Sequence, residues 1–521
     1  MKKIIAMTLM GVAAIAASAQ NMYDALNYSD VNYYGTARSI ALGNAMTALG
    51  GDLGSITINP AGSAVAGYSQ IAVTPNLSIS STAASYSPYA YGDPTSRTTS
   101  SQSRFTLPNL GVTLDWQTGR SYGLKSFTLG IVTSGTNLYS EKMSAGGTQE
   151  YTSMMGAMAY AADGIHYSYL QNYNSAYGSW TDVLAYNSGM ISVINSDGNS
   201  YIGTTELLYE DGQMGIGGPL YQDCYRLRTG SRNDLVFNFA GNVSDRFYFG
   251  VNLGVPYLSY SESVNQYEEA VSPSDFEIVY DDDLAYHFSN ARQRYALDVA
   301  GTGIYAKVGA IFLPVDGLRI GAAIQTPTLM TITERYKWDA ICNFTEYNGS
   351  LNETPDGEYT YNLTTPFVFN LGAAYTFGDF ALVSADFERT NHKRMRFSDY
   401  SDYYDGTDSW AAQNNEIWNY AGATNIVRVG AEVKVLPGFA LRGGYNFKQY
   451  RCSEYTETTN SFAFGLGYSS NGSFFADAAL RSTLYPESWY YPYENYISTD
   501  SPEVNVRRTL TDIVLTVGWR F

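Results

Sequence analysis

Beyond its first twenty residues the chain is organised by a period of two. Phe247, Phe249, Val251, Leu253, Val255 and Tyr257 alternate with Tyr248, Gly250, Asn252, Gly254 and Pro256. Phe367, Phe369, Leu371, Ala373 and Tyr375 alternate with Val368, Asn370, Gly372, Ala374 and Thr376, and Val427, Val429, Ala431, Val433 and Val435 with Arg428, Gly430, Glu432 and Lys434. Successive side chains of a strand point to opposite faces, so each segment carries one apolar face and one small, polar or charged face. A soluble sandwich alternates too, but its strands run to about 5–6 residues. Here the segments run to roughly ten to fifteen, the length that crosses a bilayer at a tilt. No run of eighteen apolar residues follows residue 20, so no transmembrane helix is predicted.

The pattern predicts fourteen strands, at 68–80, 105–116, 124–134, 233–242, 246–259, 301–313, 317–334, 362–376, 379–390, 424–435, 438–449, 459–469, 473–485 and 507–521. The connections alternate between short (117–123, 243–245, 314–316, 377–378, 436–437, 470–472) and long (81–104, 135–232, 260–300, 335–361, 391–423, 450–458, 486–506). Short periplasmic turns and long extracellular loops are the mark of outer-membrane barrels. The expected fold is an all-β membrane protein, a 14-stranded antiparallel transmembrane β-barrel over 68–521, with 135–232 its longest loop and both termini periplasmic. The last strand closes on Phe521, the kind of terminal aromatic that the outer-membrane assembly machinery reads.

Composition sharpens this. Only 15% of residues are charged, against about 25% in soluble domains, while 47 Tyr, 23 Phe and 7 Trp supply aromatics for girdles at the two membrane interfaces. Trp116, Tyr257, Tyr260, Tyr336, Trp338, Tyr375, Tyr445, Tyr468 and Trp519 fall near predicted strand ends. The net charge of −18 argues against nucleic acid as a partner. Lys2 and Lys3, the apolar stretch from Ile4 to Ala17, and Ala17-Ser18-Ala19 form a signal peptide over 1–19, with cleavage expected after Ala19 and export to the bacterial outer membrane. Cys224, Cys342 and Cys452 are too few and too scattered for a zinc or dithiol motif, and allow one disulfide at most.

Residues 20–67 contain small residues without strand periodicity, and a fourteen-strand lumen must be filled or it will leak. Their "ARSIALGNAMTALGGD" followed by "NPAG" resembles the N-terminal hatch of the FadL-type long-chain fatty acid transporter family of outer-membrane barrels. The resemblance extends to "GLRIGAAIQTP" (317–327), "TPFVFNLGAAYTFGD" (365–379) and "RVGAEVKVLPGFALRGGYNF" (428–447), and fades in the long loops. It implies a plugged barrel that takes up hydrophobic compounds, with capture by extracellular loops and release through the hatch or sideways through the wall. A kinked third strand makes that lateral opening in the family, and Gly130 and Gly135 are the residues here able to kink.

Asn59-Pro60-Ala61 is expected to anchor the hatch: Pro60 forces Asn59 into an extended backbone, aiming its amide at lumen backbone or at a lumen arginine, the alternative being a turn that only ends the hatch. Asp52 is expected to pair with a lumen arginine such as Arg442. Arg319, Arg428, Glu432, Lys434, Arg442, Lys448 and Arg520 fall on lumen faces, where unpaired charge is costly. In the longest loop, Met154, Met155, Met158, Tyr160, Ile165, Tyr167, Tyr169 and Leu170 read either as a lid core or as an adaptable surface for capturing an apolar ligand. Glu268, Glu269, Asp275, Glu277, Asp281, Asp282 and Asp283 read as a solvated acidic surface rather than a cation site, and Lys393, Arg394 and Arg396 lie where lipopolysaccharide phosphates would be met. Three scattered histidines, His166, His287 and His392, and the lack of hydrolase motifs give no support to an enzyme, a metal or a cofactor. The reading that results is a monomeric transporter of a hydrophobic small molecule, embedded in outer-membrane lipid and lipopolysaccharide. A general porin and a surface adhesin remain as alternatives, and haem or an aromatic compound as alternative ligands.

Overall fold

A computed structural model describes residues 20–209, 214–279, 285–400, 409–470, 473–496 and 501–521. Fourteen strands form one closed antiparallel barrel. They are β1 (Gln70–Ser87), β2 (Ser96–Gln117), β3 (Leu124–Gln149), β4 (Leu220–Val243), β5 (Phe247–Ala270), β6 (Ala285–Val315) and β7 (Leu318–Gln325, resuming as Leu329–Phe344). The rest are β8 (Gly357–Thr364, resuming as Val368–Phe377), β9 (Ala381–Asn391), β10 (Ala423–Leu436), β11 (Phe439–Arg451), β12 (Thr456–Ser470), β13 (Phe474–Leu484) and β14 (Glu503–Arg520). Each pairs with the next, and β14 closes on β1 from Gln70↔Arg520 to Ser87↔Glu503. Closure removes the sheet edges that hydrocarbon cannot satisfy.

The register places the predicted apolar face outward. Val251, Leu253, Val427, Val429 and Val433 are exposed, while Asn252, Arg428 and Glu432 between them are buried in the lumen. Trp116, Tyr257, Tyr375, Tyr468 and Trp519 are exposed on the outer surface. Tyr260 and Trp338, expected among them, are instead buried, Tyr260 in the lumen and Trp338 beneath the extracellular loops.

Several predicted strands were too short. The strand expected to end at 134 runs to Gln149 and its partner begins at Leu220 rather than 233, so the longest connection is 150–219. Conversely, the strand expected to run unbroken over 317–334 is interrupted at 326–328, and its neighbour at 365–367. Pro327 and Pro366, lacking an N–H, occupy the two breaks side by side.

The connection 150–219 folds into helices α3 (Met154–Ala162) and α4 (Trp180–Asn187) with two small hairpins. They cover the tops of β6 and β7 through Phe288, Ala291, Trp338, Ala340 and Phe344. Glu268, expected in an acidic loop, lies instead on β5 and accepts hydrogen bonds from the Met154 amide at 2.6 Å and from Ser153 Oγ at 2.8 Å. It thereby caps the start of α3, where a carboxylate satisfies orphan amides. Asp281, Asp282 and Asp283 lie outside the described residues.

Residues 20–67 run through the lumen. Gln20 lies in the half nearer the long loops, its Nε2 2.8 Å from Glu334 Oε2, so the described chain begins inside the barrel rather than at the periplasmic rim. Helix α1 (Met22–Ser29) follows, then a short helix α2 (Ala37–Ala41) and two 3-10 turns. At the rim, Ser69 and Phe521 exchange backbone hydrogen bonds.

Candidate functional site

The lumen wall is shaped to seat the hatch. A Cβ placed on Gly250 would lie 2.4 Å from the Pro60 carbonyl carbon, and one on Gly321 2.2 Å from Thr47 O. One on Gly430 would lie 2.4 Å from Leu42 O, and one on Gly444 2.1 Å from the Gly43 amide. Gly250 faces Gly309, Gly321 faces Gly372 and Gly430 faces Gly444 across neighbouring strands, so these residues form rows that let backbone approach backbone. They are the small residues of the lumen face in the alternating pattern.

Asn59 is fully buried at this level. Its Nδ2 donates to Thr47 O at 2.7 Å and to the strand carbonyls of Ala310 (3.2 Å) and Ala322 (3.4 Å). Its Oδ1 accepts from the Ala61 amide at 3.1 Å, capping the 3-10 turn that Pro60 opens. Its partners are therefore backbone, not lumen arginines. Asp52 does not meet Arg442: it accepts from Thr36 Oγ1 at 2.6 Å and from the Gly54 amide at 2.8 Å, fastening two parts of the hatch together. The Arg442 expectation failed because a carboxylate preceding a turn caps it in preference to crossing the lumen.

Hatch-to-wall charge pairing is made by other residues. Arg38 of the hatch lies 2.9 Å from Glu432, which also binds Arg442 at 2.6 Å, and Arg442 continues to Asp477. Lys448 holds Asp30 at 2.5 Å, and Arg319 donates to Leu49 O at 2.6 Å. Arg428 pairs with Glu388 at 3.1 Å and lies against the Tyr33 ring, while Arg520 lies over Tyr68. Lys434 stands exposed near the short turn. Lys307 and Arg481, not singled out from the sequence, also bind the hatch backbone: Lys307 donates to Thr57 O at 2.7 Å and Arg481 to Tyr33 O at 3.1 Å. The available signal was a cation within an alternating strand.

Above the hatch lies a lumen cavity of about 410 Å³. Tyr23, Leu26, Asp30, Tyr33 and Tyr34 line it from the hatch, Asn137–Glu141 from β3, Tyr260 and Glu262 from β5, and Lys448, Tyr450 and Tyr455 from the opposite wall. Tyrosine rings and alkyl groups alternate with charges, several of them paired, such as Arg228 with Glu262 at 3.0 Å. Burial alone would push Asp30 up, but Lys448 outweighs it and holds the carboxyl below its ordinary range. Asp24 moves the other way, raised by burial and by the nearby Glu334. An extracellular cleft between 451–458 and 486–489 shares Tyr455, Glu457 and Pro486 with the cavity. A wider groove, about 690 Å³, indents the outward apolar face of β7–β12 and shares none of these lining residues.

Beside the cavity the wall is split. The β2–β3 ladder ends at Asn109↔Ser134. Beyond it β3 stays paired only to β4, up to Gln149↔Leu220, and β2 only to β1, up to Ser96↔Tyr86. Pro108, with no N–H to offer, marks the point of separation. The β3–β4 register shifts between Gly135 and Asn137, and a Cβ on Gly135 would meet Pro108 and Tyr34, each at 3.0 Å. Hatch amides take over the freed carbonyls: Asn32 N donates to Thr136 O at 2.7 Å and Tyr34 N to Gly135 O at 2.8 Å. Gly130, the other kink candidate, pairs in register with Thr113 and Asn238, so the irregularity is at Gly135 alone of the two. Higher up, Ser96 Oγ donates to Gly146 O and bounds the window from above.

The longest loop contributes differently from a methionine-lined capture surface. Met154 and Met155 are fully buried in the lid core and Met158 packs against it. Tyr160, Tyr167 and Tyr169 are exposed, with Tyr167 and Tyr169 flanking His166. Arg394 and Arg396 both lie over the Trp418 ring. The three cysteines are free thiols.

No family model matches the sequence, and no curated protein matches it. Among solved structures, a Pseudomonas aeruginosa FadL homologue aligns over 94% of this chain and 99% of its own, at 13% identity and a TM-score of 0.52. A deltaS2S3 mutant of the TodX monoaromatic hydrocarbon channel aligns over 94% and 99%, at 12% identity and a TM-score of 0.50. The toluene transporter TodX of P. putida covers the same shares at 13% identity, with a TM-score of 0.47. The chain has the fourteen-strand fold of the FadL-type outer-membrane barrels.

Proposed function

We propose that this protein is an outer-membrane channel for the uptake of hydrophobic compounds. The observation that carries the reading is the split between β2 and β3 beside a lumen cavity that a seated hatch closes from below. A ligand enters through the cleft at Tyr455 and Pro486, rests among the tyrosines of the cavity, and leaves through the wall into the membrane. A hydrophobic solute gains nothing from a water-filled pore, whereas a wall exit delivers it from an apolar pocket to hydrocarbon without crossing water. The cavity volume suits one small ligand, and its flat rings accept an aromatic hydrocarbon or a fatty chain alike. The named relatives, a FadL homologue and a hydrocarbon channel, support the same class. Mature protein beginning at Gln20, a monomer in lipid and lipopolysaccharide, completes the proposal.

Two measurements on one preparation test it. Cells carrying the barrel should take up radiolabelled apolar compounds faster than cells without it, while proteoliposomes should not swell in small sugars. Swelling at porin rates would establish a general pore instead. Neither uptake nor swelling would leave the surface-structural alternative.

A further inference from the structure

Arg104 occupies the window between β2 and β3. It faces inward from β2, and its Nη1 donates to Tyr139 O at 2.8 Å and to Gly230 O at 2.7 Å. Tyr139 and Gly230 are paired residues of the β3–β4 ladder, so one guanidinium grips both strands on the far side of the split. It is the cross-strand contact in the middle of a window bounded below by Asn109 and Ser134 and above by Ser96 and Gly146. Among the described residues Arg104 makes no ion pair. The outer face changes from apolar to polar at this height: Phe105 and Leu107 are exposed to lipid, while Ser101 and Ser103 follow above.

The segment it grips matters most. Asn137–Glu141 follows the register shift, forms one wall of the cavity, and separates that cavity from the window. At its midpoint this segment is also fastened to the hatch, by Tyr139 Oη donating to Asn27 O at 2.9 Å. Its outer side is fastened to β2 by Arg104.

We propose that Arg104 is the latch of the wall exit: it holds Asn137–Glu141 against β2, and the exit opens when its two hydrogen bonds are released. The proposal rests on the uptake reading and adds the residue that regulates it. The chemistry suits a reversible closure. A guanidinium paired with a buried carboxylate would be costly to separate, whereas two neutral carbonyls return a charged donor to water or to a lipid phosphate at lower cost. Removing one charged-donor hydrogen bond should raise the open fraction about tenfold or more.

The test uses the full barrel in nanodiscs, with Cys452→Ser to remove the one cysteine that is not buried, and spin labels at Ser103→Cys on β2 and Lys142→Cys on β3. The distance distribution should be a single narrow population in the parent and should gain a longer population in Arg104→Ala. Arg104→Lys, which keeps the charge but ends one atom short of the Nη1 that reaches both carbonyls, should fall between them. Heat-modifiable gel migration confirms that each variant barrel is folded, and Ser101→Ala, one residue off the lumen face, serves as a second variant that should leave the distribution unchanged. An unchanged distribution in folded Arg104→Ala would overturn the latch. Uptake measured on the same variants separates the two claims. A longer distance with uptake altered supports both. A longer distance in a barrel that takes up no apolar compound in any form keeps the latch and removes the transport reading.

Discussion

Asn59→Ala should loosen the hatch without unfolding the barrel. The amide has two hydrogens and three nearby acceptors, so two of its three donations hold at full strength, led by Thr47 O at 2.7 Å. Each is worth about 1 kcal/mol net, and the lost cap on the Ala61 amide adds about 0.5–2 kcal/mol. The local cost is therefore about 2.5–4 kcal/mol, which raises transient opening of residues 47–62 by about 60-fold to 700-fold. Hydrogen–deuterium exchange in nanodiscs reads this directly: peptides from the hatch should lose protection by that factor while β9 to β12 keep theirs. Asn59→Asp provides the internal control. It keeps the capping oxygen but sets a carboxylate against three carbonyl oxygens, so it should loosen the hatch more than alanine does. Exchange unchanged in both variants would show that Asn59 only ends a turn, and would refute the anchoring argument.

Further outcomes follow from the same contacts. Val251→Arg, on the lipid face, should cost about 2–4 kcal/mol in urea titrations of folding into vesicles, and no loss would mean the register is wrong by one. Glu432→Gln removes the anion shared by Arg38 and Arg442; it should destabilise hatch docking by about 3 kcal/mol and admit a small polar dye, and an intact permeability barrier would count against the network. Burial, only partly offset by Asp30, lowers His392 to about 4. Because its folded value lies below the ordinary 6.5, the native state binds fewer protons, and stability should fall as pH drops from about 6.5 towards 4. His392→Gln should flatten that segment of the urea-midpoint profile, and parallel profiles would contradict the assignment.

The membrane-crossing parts of the strands were readable because lipid outside and hatch inside impose opposite demands on alternate residues. That contrast vanishes above the bilayer. Lys142 and Ser144 on β3 and Asp223 and Thr229 on β4 continue the ladder on an outer face that no longer needs to be apolar, so the pattern lost those strands to a loop. The breaks at Pro327 and Pro366 carried a signal that the surrounding alternation hid. Of the site, Asn59-Pro60-Ala61 was legible as a rigid turn with an amide to place, and Gly135 as a position without a side chain. Asp52 was not, because its partner Thr36 lies within the hatch and no spacing rule selects it. Met154 and Met155 showed an adaptable apolar character that packing against β6 and β7 uses for the lid core. Arg104 had no signal at all. A lone arginine in a Ser- and Thr-rich stretch gains meaning only from the two carbonyls that the split wall brings to it.

An apolar ligand should occupy the cavity above the hatch. Crystals soaked with a brominated aromatic hydrocarbon or a brominated fatty chain test it by anomalous diffraction. A bromine peak is expected within the cavity, among Tyr33, Tyr139, Tyr260 and Tyr450, in protein that also transports the compound. A peak confined to the lipid-facing groove at Ala373, Ala431 and Phe464, with the cavity empty, would contradict it.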